Sequence, residues 1–85
     1  MRVVILYRSM SEHRRPVEEF MHEFERRTGK AIETLDPDSR EGTTFALTYD
    51  IVEYPTMLAL SSEGQVQALW RGLPLPTLSE VSYYA

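Results

Sequence analysis

The sequence predicts an α/β fold in which helices cover both faces of a four-stranded mixed sheet. Three observations lead to this prediction. An apolar run opens the chain, segments with helical periodicity alternate with further apolar runs, and a glycine-containing turn joins two of those runs. In chain order the elements are β-α-β-α-β-β-α. A chain of 85 residues is long enough for one domain, which we expect to span residues 1–85.

The first half of the chain contains a strand, a helix and the start of a second strand. Residues 1–7 are apolar and rich in β-branched side chains, which is typical of a strand buried on both faces. The stretch Ser9-Met10-Ser11-Glu12 matches a capping box, which marks the start of a helix. Glu23 and Arg27 are spaced to pair on that helix, and Gly29 is expected to end it with a positive φ. The apolar stripe of the helix consists of Val17, Phe20, Met21 and Phe24.

The same signals predict the remaining elements: strands over residues 31–35, 57–60 and 65–71, and helices over residues 40–49 and 77–84. Residues 61–64 form the turn of an antiparallel hairpin. Strands that are separated by helices are expected to run parallel. On the fourth strand, Val66, Ala68 and Trp70 are predicted to share one face.

Composition excludes several classes of function. The chain has no cysteine, so it lacks the thiolate that disulfide exchange and cysteine-ligated metal centres need. Its formal charge of −4 argues against nucleic acid as the partner, because binding phosphates requires a basic face. No apolar run is long enough to span a bilayer, and no basic segment precedes the first apolar run as in a signal peptide. We expect a cytoplasmic domain without a cofactor.

Metal binding is also not expected. Asp36, Asp38 and Glu41 resemble the start of a calcium loop, but the position that should carry the last glutamate ligand is Leu47. The two histidines, His13 and His22, have no third ligand at a suitable spacing.

The segment from Tyr49 to Thr56 reads Y-x-I-x-x-x-P-T. With this segment, the chain resembles the thioredoxin and glutaredoxin family, in a minimal form, from Met1 to about Pro76. The resemblance implies a single thioredoxin-like domain with a cis proline at Pro55. It also gives Gly64 and Gly72 as the glycines that flank the last strand, and Pro16 as the proline that bends the first helix.

The family's Cys-x-x-Cys motif is missing. The spacing back from Pro16 puts the two cysteine positions at Arg8 and Ser11, and a serine hydroxyl cannot exchange with a disulfide. We therefore expect no thiol–disulfide oxidoreductase activity and favour a function that is not enzymatic.

Two segments form a candidate binding groove, because the fold that the resemblance implies brings the start of the first helix close to the loop Glu53-Tyr54-Pro55-Thr56, which we call the proline loop. The candidate residues are Arg8, Ser9, Met10, Ser11, Arg14, Tyr54, Pro55 and Thr56. In the family, the residue before the cis proline offers its backbone to an extended peptide, which predicts a protein or peptide partner. The arginines, with His13 and Arg15, also suit a small anion or glutathione held at a helix N-terminus. The alternative function is then transferase-like, with Ser9 or Ser11 hydrogen-bonding the thiolate of glutathione. The alternative is that the serines only cap the helix and the arginines are solvated.

The C-terminal aromatic residues are a second candidate surface. Trp70, Tyr83 and Tyr84 are of the types enriched at interfaces, so this surface is a candidate for self-association and a homodimer. The alternative is that the tyrosines pack over Trp70 and complete the core.

Overall fold

The computed structural model describes residues 2–85 and contains four strands and three helices. Met1, with which the first strand was predicted to start, lies outside the described residues. The elements are β1 (Arg2–Leu6), α1 (Arg14–Thr28), β2 (Glu33–Leu35), α2 (Arg40–Thr48), β3 (Thr56–Leu60), β4 (Val66–Arg71) and α3 (Leu78–Tyr84). Their order is the predicted one.

The four strands form one mixed sheet in the order β2-β1-β3-β4. β1 pairs with β2 in parallel and with β3 antiparallel, and β3 pairs with β4 antiparallel. The expectation that β3 runs parallel to the strands before it is wrong. Leu6, at the C-terminal end of β1, pairs with both Leu35 and Thr56, so the connection through α2 starts and finishes at the same end of the strands. A strand that begins at that end must run antiparallel to β1.

The central strand β1 separates two apolar layers. Val3 and Ile5 belong to the layer under α1 and α3, whereas Val4 and Leu6 belong to the layer under α2. All four side chains are buried, which explains why the strand is a continuous apolar run rather than an alternating one. Helices therefore cover both faces, as predicted.

Helix α1 starts later than the sequence predicts. Its N-cap is His13, which makes no capping hydrogen bond with its side chain, so the capping box at Ser9–Glu12 is wrong. The hydroxyl of Ser11 donates to the Arg8 carbonyl over 2.6 Å and so belongs to a turn that precedes the helix. The end of the helix is as predicted, because Gly29 has a φ of 72° and its amide donates to the Glu25 carbonyl.

Side-chain caps hold the other two helices. The Ser39 hydroxyl accepts from the Gly42 amide at the start of α2. Thr77 and Glu80 form a reciprocal capping box at the start of α3. Helix α3 buries Val81 completely against the layer under α1, so this short C-terminal helix is part of the core.

Strand β4 is irregular. Its pairing with β3 shifts between Ala59 and Leu60, so the simple alternation that would give Val66 the same environment as Ala68 and Trp70 is broken. Val66 is exposed, whereas Ala68 and Trp70 pack on the layer under α1 and α3. The peptide bonds before Pro55 and Pro74 are both cis.

Candidate functional site

The segment after β1 and the segment before β3 meet at one end of the strands, because Leu6, the last residue of β1, pairs with Thr56, the first residue of β3. Between them lies a groove with a volume of about 190 Å³. We call it the proline-loop groove; its lining residues are Arg8, Ser11, His13, Val52, Glu53 and Tyr54. Three of the predicted site residues, Arg8, Ser11 and Tyr54, thus lie together.

Arg8 connects three segments at this groove. Its guanidinium lies over the ring of Tyr54, 4.9 Å from the ring centroid. It also donates two hydrogen bonds to the carboxylate of Asp38, over 2.9 Å and 3.2 Å. This pairing lowers the pKa of Asp38 below its ordinary value, because the side-chain hydrogen bonds from Arg8 favour the charged carboxylate. The positive charge of Arg8 is therefore already matched within the domain.

The other cations near the start of α1 also have carboxylate partners. Arg14 lies 3.3 Å from Glu18, and Arg15 lies 3.9 Å from Glu19, each one helical turn further along. His13 lies 3.8 Å from the carboxylate of Glu12. Arg14 is exposed and does not line the groove. The predicted anion site has no cation without a partner in the part of the chain described.

The helix start itself offers few backbone donors. The Arg14 amide donates to the Ser11 carbonyl, and the Val17 amide donates to the His13 carbonyl. Pro16 has no amide hydrogen. The amides that receive an anion at other helix N-termini are therefore largely used or missing here.

The stretch that replaces the family's cysteine motif forms a polar turn with an exposed apolar tip. The Ser11 hydroxyl donates to the Arg8 carbonyl and accepts from the His13 amide over 3.3 Å. Ser9 and Met10 are exposed, with 94% of Met10 accessible. Ser11 thus orders the segment.

Hydrogen bonds to the residues on either side of Tyr54 order the proline loop, whereas the main chain of Tyr54 itself has no partner among residues 2–85. The Glu53 carbonyl accepts from the Thr56 hydroxyl over 2.6 Å, and the Pro55 carbonyl accepts from the Gly72 amide over 2.7 Å. Within residues 2–85, no hydrogen bond uses the amide or the carbonyl of Tyr54. Pro55 and Thr56 are buried, so these two predicted site residues position the loop from behind.

Three residues of this site are not among the candidate residues named from the sequence, although Glu53 belongs to the proline loop that the sequence singled out. Val52 and Glu53 line the groove, and Asp38 binds Arg8 from the loop before α2. Val52 and Glu53 lie within the Tyr49–Thr56 segment, so their proximity to Pro55 was a usable signal. Asp38 is thirty positions from Arg8 in sequence, and no local pattern links the two.

A search of solved structures finds thioredoxin 1 from the thermophilic eubacterium Thermosipho africanus TCF52B. The superposition has a TM-score of 0.68 and covers 99% of this chain and 89% of that one, at 14% sequence identity. This chain has a thioredoxin-like fold. No family model matches the sequence, and no curated protein matches it either.

The thioredoxin-like domain has no cysteine, which argues against thiol–disulfide oxidoreductase activity. In its described residues, no helix is long and apolar enough to cross a membrane. The same residues contain no group of three or more histidine or acidic side chains placed to hold a metal ion.

The C-terminal aromatic residues of the thioredoxin-like domain divide into a packed part and an exposed part. Tyr84 packs edge-on against Trp70 with ring centroids 5.7 Å apart, and both contact the layer under α1 and α3. Tyr83 contacts Tyr84 but is 82% exposed. These three side chains line a shallow depression of about 440 Å³ between β4 and α3, together with Glu80.

Proposed function

We propose that this thioredoxin-like domain is a redox-inactive interaction module that binds an extended segment of another protein in the proline-loop groove. One observation carries the proposal. Tyr54 has an amide and a carbonyl without partners in the described chain, at the wall of an open groove. We expect the domain to act in the cytoplasm, as its sequence suggests, without a cofactor and without catalysing a reaction.

The main-chain pattern around Tyr54 suits strand addition. An extended segment that lies along the loop exchanges hydrogen bonds with one amide and one carbonyl of the same residue, as in an antiparallel ladder. The adjoining carbonyls of Glu53 and Pro55 are used internally, so Tyr54 is the residue at which such pairing is available. The mode requires neither a cysteine nor an unmatched cation.

Exposed apolar side chains lie in the groove or next in sequence to residues at it. Val52 lines the groove and is 82% exposed, and Met10 directly precedes the groove residue Ser11 in the chain. Leu73, which is 49% exposed, follows the glycine that bonds to Pro55. Apolar side chains grouped at one place on a surface are typical of protein-binding sites. They supply contacts for alternate side chains of the bound segment.

An amide NMR titration with a pool of short unstructured peptides tests this proposal. We expect shifts concentrated at residues 8–13 and 52–56. A Tyr54→Ala variant keeps the main-chain groups but loses the ring that lines the groove and holds Arg8, so we expect it to bind the pool more weakly. Tyr83→Ala is the matched control, because it removes an exposed tyrosine from the depression between β4 and α3, whose lining shares no residue with the groove. Glutathione and phosphate are titrated in parallel. Shifts in these segments that only glutathione or phosphate produces, or no shifts there at all, would overturn the proposal.

Self-association is a second candidate function. Strand β4 is an outer strand of the sheet, and Tyr83 stands exposed beside it. An unpaired edge can join the same edge of a second copy. Sedimentation analysis over a wide concentration range tests this candidate, with Tyr83→Ser expected to weaken the dimer. Removing α3 is unsuitable as a test because Val81 belongs to the core.

A further inference from the structure

The proline-loop groove contains one carboxylate with no cationic partner in the described chain. Glu53 lines the groove, and within residues 2–85 no lysine, arginine or histidine nitrogen lies within ion-pair distance of its side chain. Its Oε2 lies 3.1 Å from the position that a Cβ at residue 72 would take. The carboxylate is thus at the rim, between the groove and the turn after β4.

The positive groups that line the groove beside Glu53 are matched by other carboxylates. Arg8 binds Asp38 with two hydrogen bonds, and His13 lies beside Glu12. Each of these pairs leaves no net positive charge when both members are ionised. Among the residues that line the groove, Glu53 thus carries the one charge without an ion-pair partner in the described chain, and that charge is negative.

We infer that the groove selects extended segments that carry a lysine or arginine side chain, which Glu53 receives. This inference rests on the proposed peptide-binding function and gives the chemistry of the partner. A cation on the bound segment gains a partner at Glu53, whereas a carboxylate there meets a like charge. Charge complementarity of this kind decides which partner is chosen more than how tightly any partner binds.

The apolar rim defines the rest of the preferred segment. Met10, Val52 and Leu73 are exposed and favour apolar residues on either side of the cation. The aliphatic stem of a lysine or arginine also packs on such a surface while its charged end reaches Glu53. The expected partner is therefore an extended, mainly apolar segment with one basic residue.

Selection from a random peptide library displayed on phage tests this inference with the full chain. We expect peptides retained by the wild type to be enriched in lysine and arginine at one position and depleted in acidic residues. Glu53→Gln is expected to remove that bias. The variant keeps the Glu53 carbonyl that accepts from Thr56, so the loop keeps its internal hydrogen bond.

Glu63→Gln is the matched control. It removes the same charge from the turn that connects β3 to β4, at the end of β3 away from Thr56. If net charge alone attracts basic peptides, the two variants will lose the bias equally. Glu53→Lys provides a second variant, which is expected to reverse the preference toward acidic peptides.

Matched peptides that differ only in lysine, glutamine or glutamate at the selected position give the size of the effect. We expect the lysine peptide to bind about two- to fivefold more tightly than the glutamine peptide, as for a solvent-exposed ion pair. The difference should shrink as salt is added.

The outcomes separate the inference from the function on which it rests. Retained peptides without a basic bias, or a bias that survives Glu53→Gln, would overturn the inference and leave peptide binding in place. No enrichment over the bare support would overturn both.

Discussion

The guanidinium of Arg8 lies over the ring of Tyr54, 4.9 Å from its centroid, and so joins the segment after β1 to the residue before the cis proline. The same guanidinium binds Asp38 from the loop before α2. Three segments that are distant in sequence are thereby fixed around one groove. Arg8 acts here as a structural bridge, since its charge is matched by Asp38.

The first prediction concerns the Arg8–Asp38 pair. Because Arg8 lowers the pKa of Asp38, Arg8→Gln should raise that pKa toward its ordinary value. A depressed carboxyl pKa stabilises the folded state above the pKa of the unfolded chain, and this contribution disappears as the pH falls through the folded-state pKa. Carboxyl NMR titration checks the shift. Arg15→Gln is the control, and an equal shift of Asp38 there would contradict the assignment.

The second prediction concerns Gly42 in the first turn of α2. A Cβ at this position would overlap the carbonyl of Asp36, so the main chain of the preceding loop would have to move. Alanine in a helix is ordinarily about 1 kcal/mol better than glycine. Here we expect Gly42→Ala to destabilise the domain by about 1–3 kcal/mol, as overpacking does. Urea unfolding measures the change, and a gain in stability would show that the loop yields freely. Thr44→Ala on the exposed face is the control.

The third prediction concerns the core under α1. Phe24 is 1% exposed and belongs to the layer that also contains Ile5 and Val81. Phe24→Ala should destabilise the domain by about 3–5 kcal/mol, a large share of the stability of a chain this size. Phe20→Ala should have a smaller effect because Phe20 is only half-buried. Equal losses at the two positions in urea unfolding would contradict this packing.

The fourth prediction concerns the capping box of α3. Thr77→Ala removes the hydroxyl that accepts from the Glu80 amide over 3.1 Å and should cost about 1 kcal/mol. The change should also loosen α3 and raise the amide exchange rate at Val81. Ser79→Ala lies within the same helix and should leave both quantities nearly unchanged. A Thr77→Ala protein with wild-type stability and exchange would show that packing alone fixes this helix.

The sequence predicted the elements because their signals are local. The apolar stripe of α1, the glycine that ends it and the turn before β4 each depend on neighbouring residues, and each has the predicted conformation. The Glu23–Arg27 pair also forms as its spacing predicts. A helix start is less well specified, because serines serve turns as well as caps. Ser11 therefore appeared to belong to a cap although it orders a turn.

The site could be predicted only in part. The Tyr49–Thr56 segment located the proline loop, and the segment after β1 supplied the opposite wall. The pairing of Arg8 with Asp38 depends on how two loops meet in space, which no local pattern records. The same pairing matches the charge on which an anion site would depend, so the preference for a peptide in our proposal comes from the three-dimensional arrangement rather than from the sequence.

Amide hydrogen exchange at Tyr54 tests the central claim most directly. We expect the Tyr54 amide to exchange rapidly in the free domain and to become protected when a bound peptide saturates the proline-loop groove. The Gly72 amide, which already donates to Pro55, should be protected in both states. A bound peptide that leaves the exchange rate at Tyr54 unchanged would contradict strand addition at this residue.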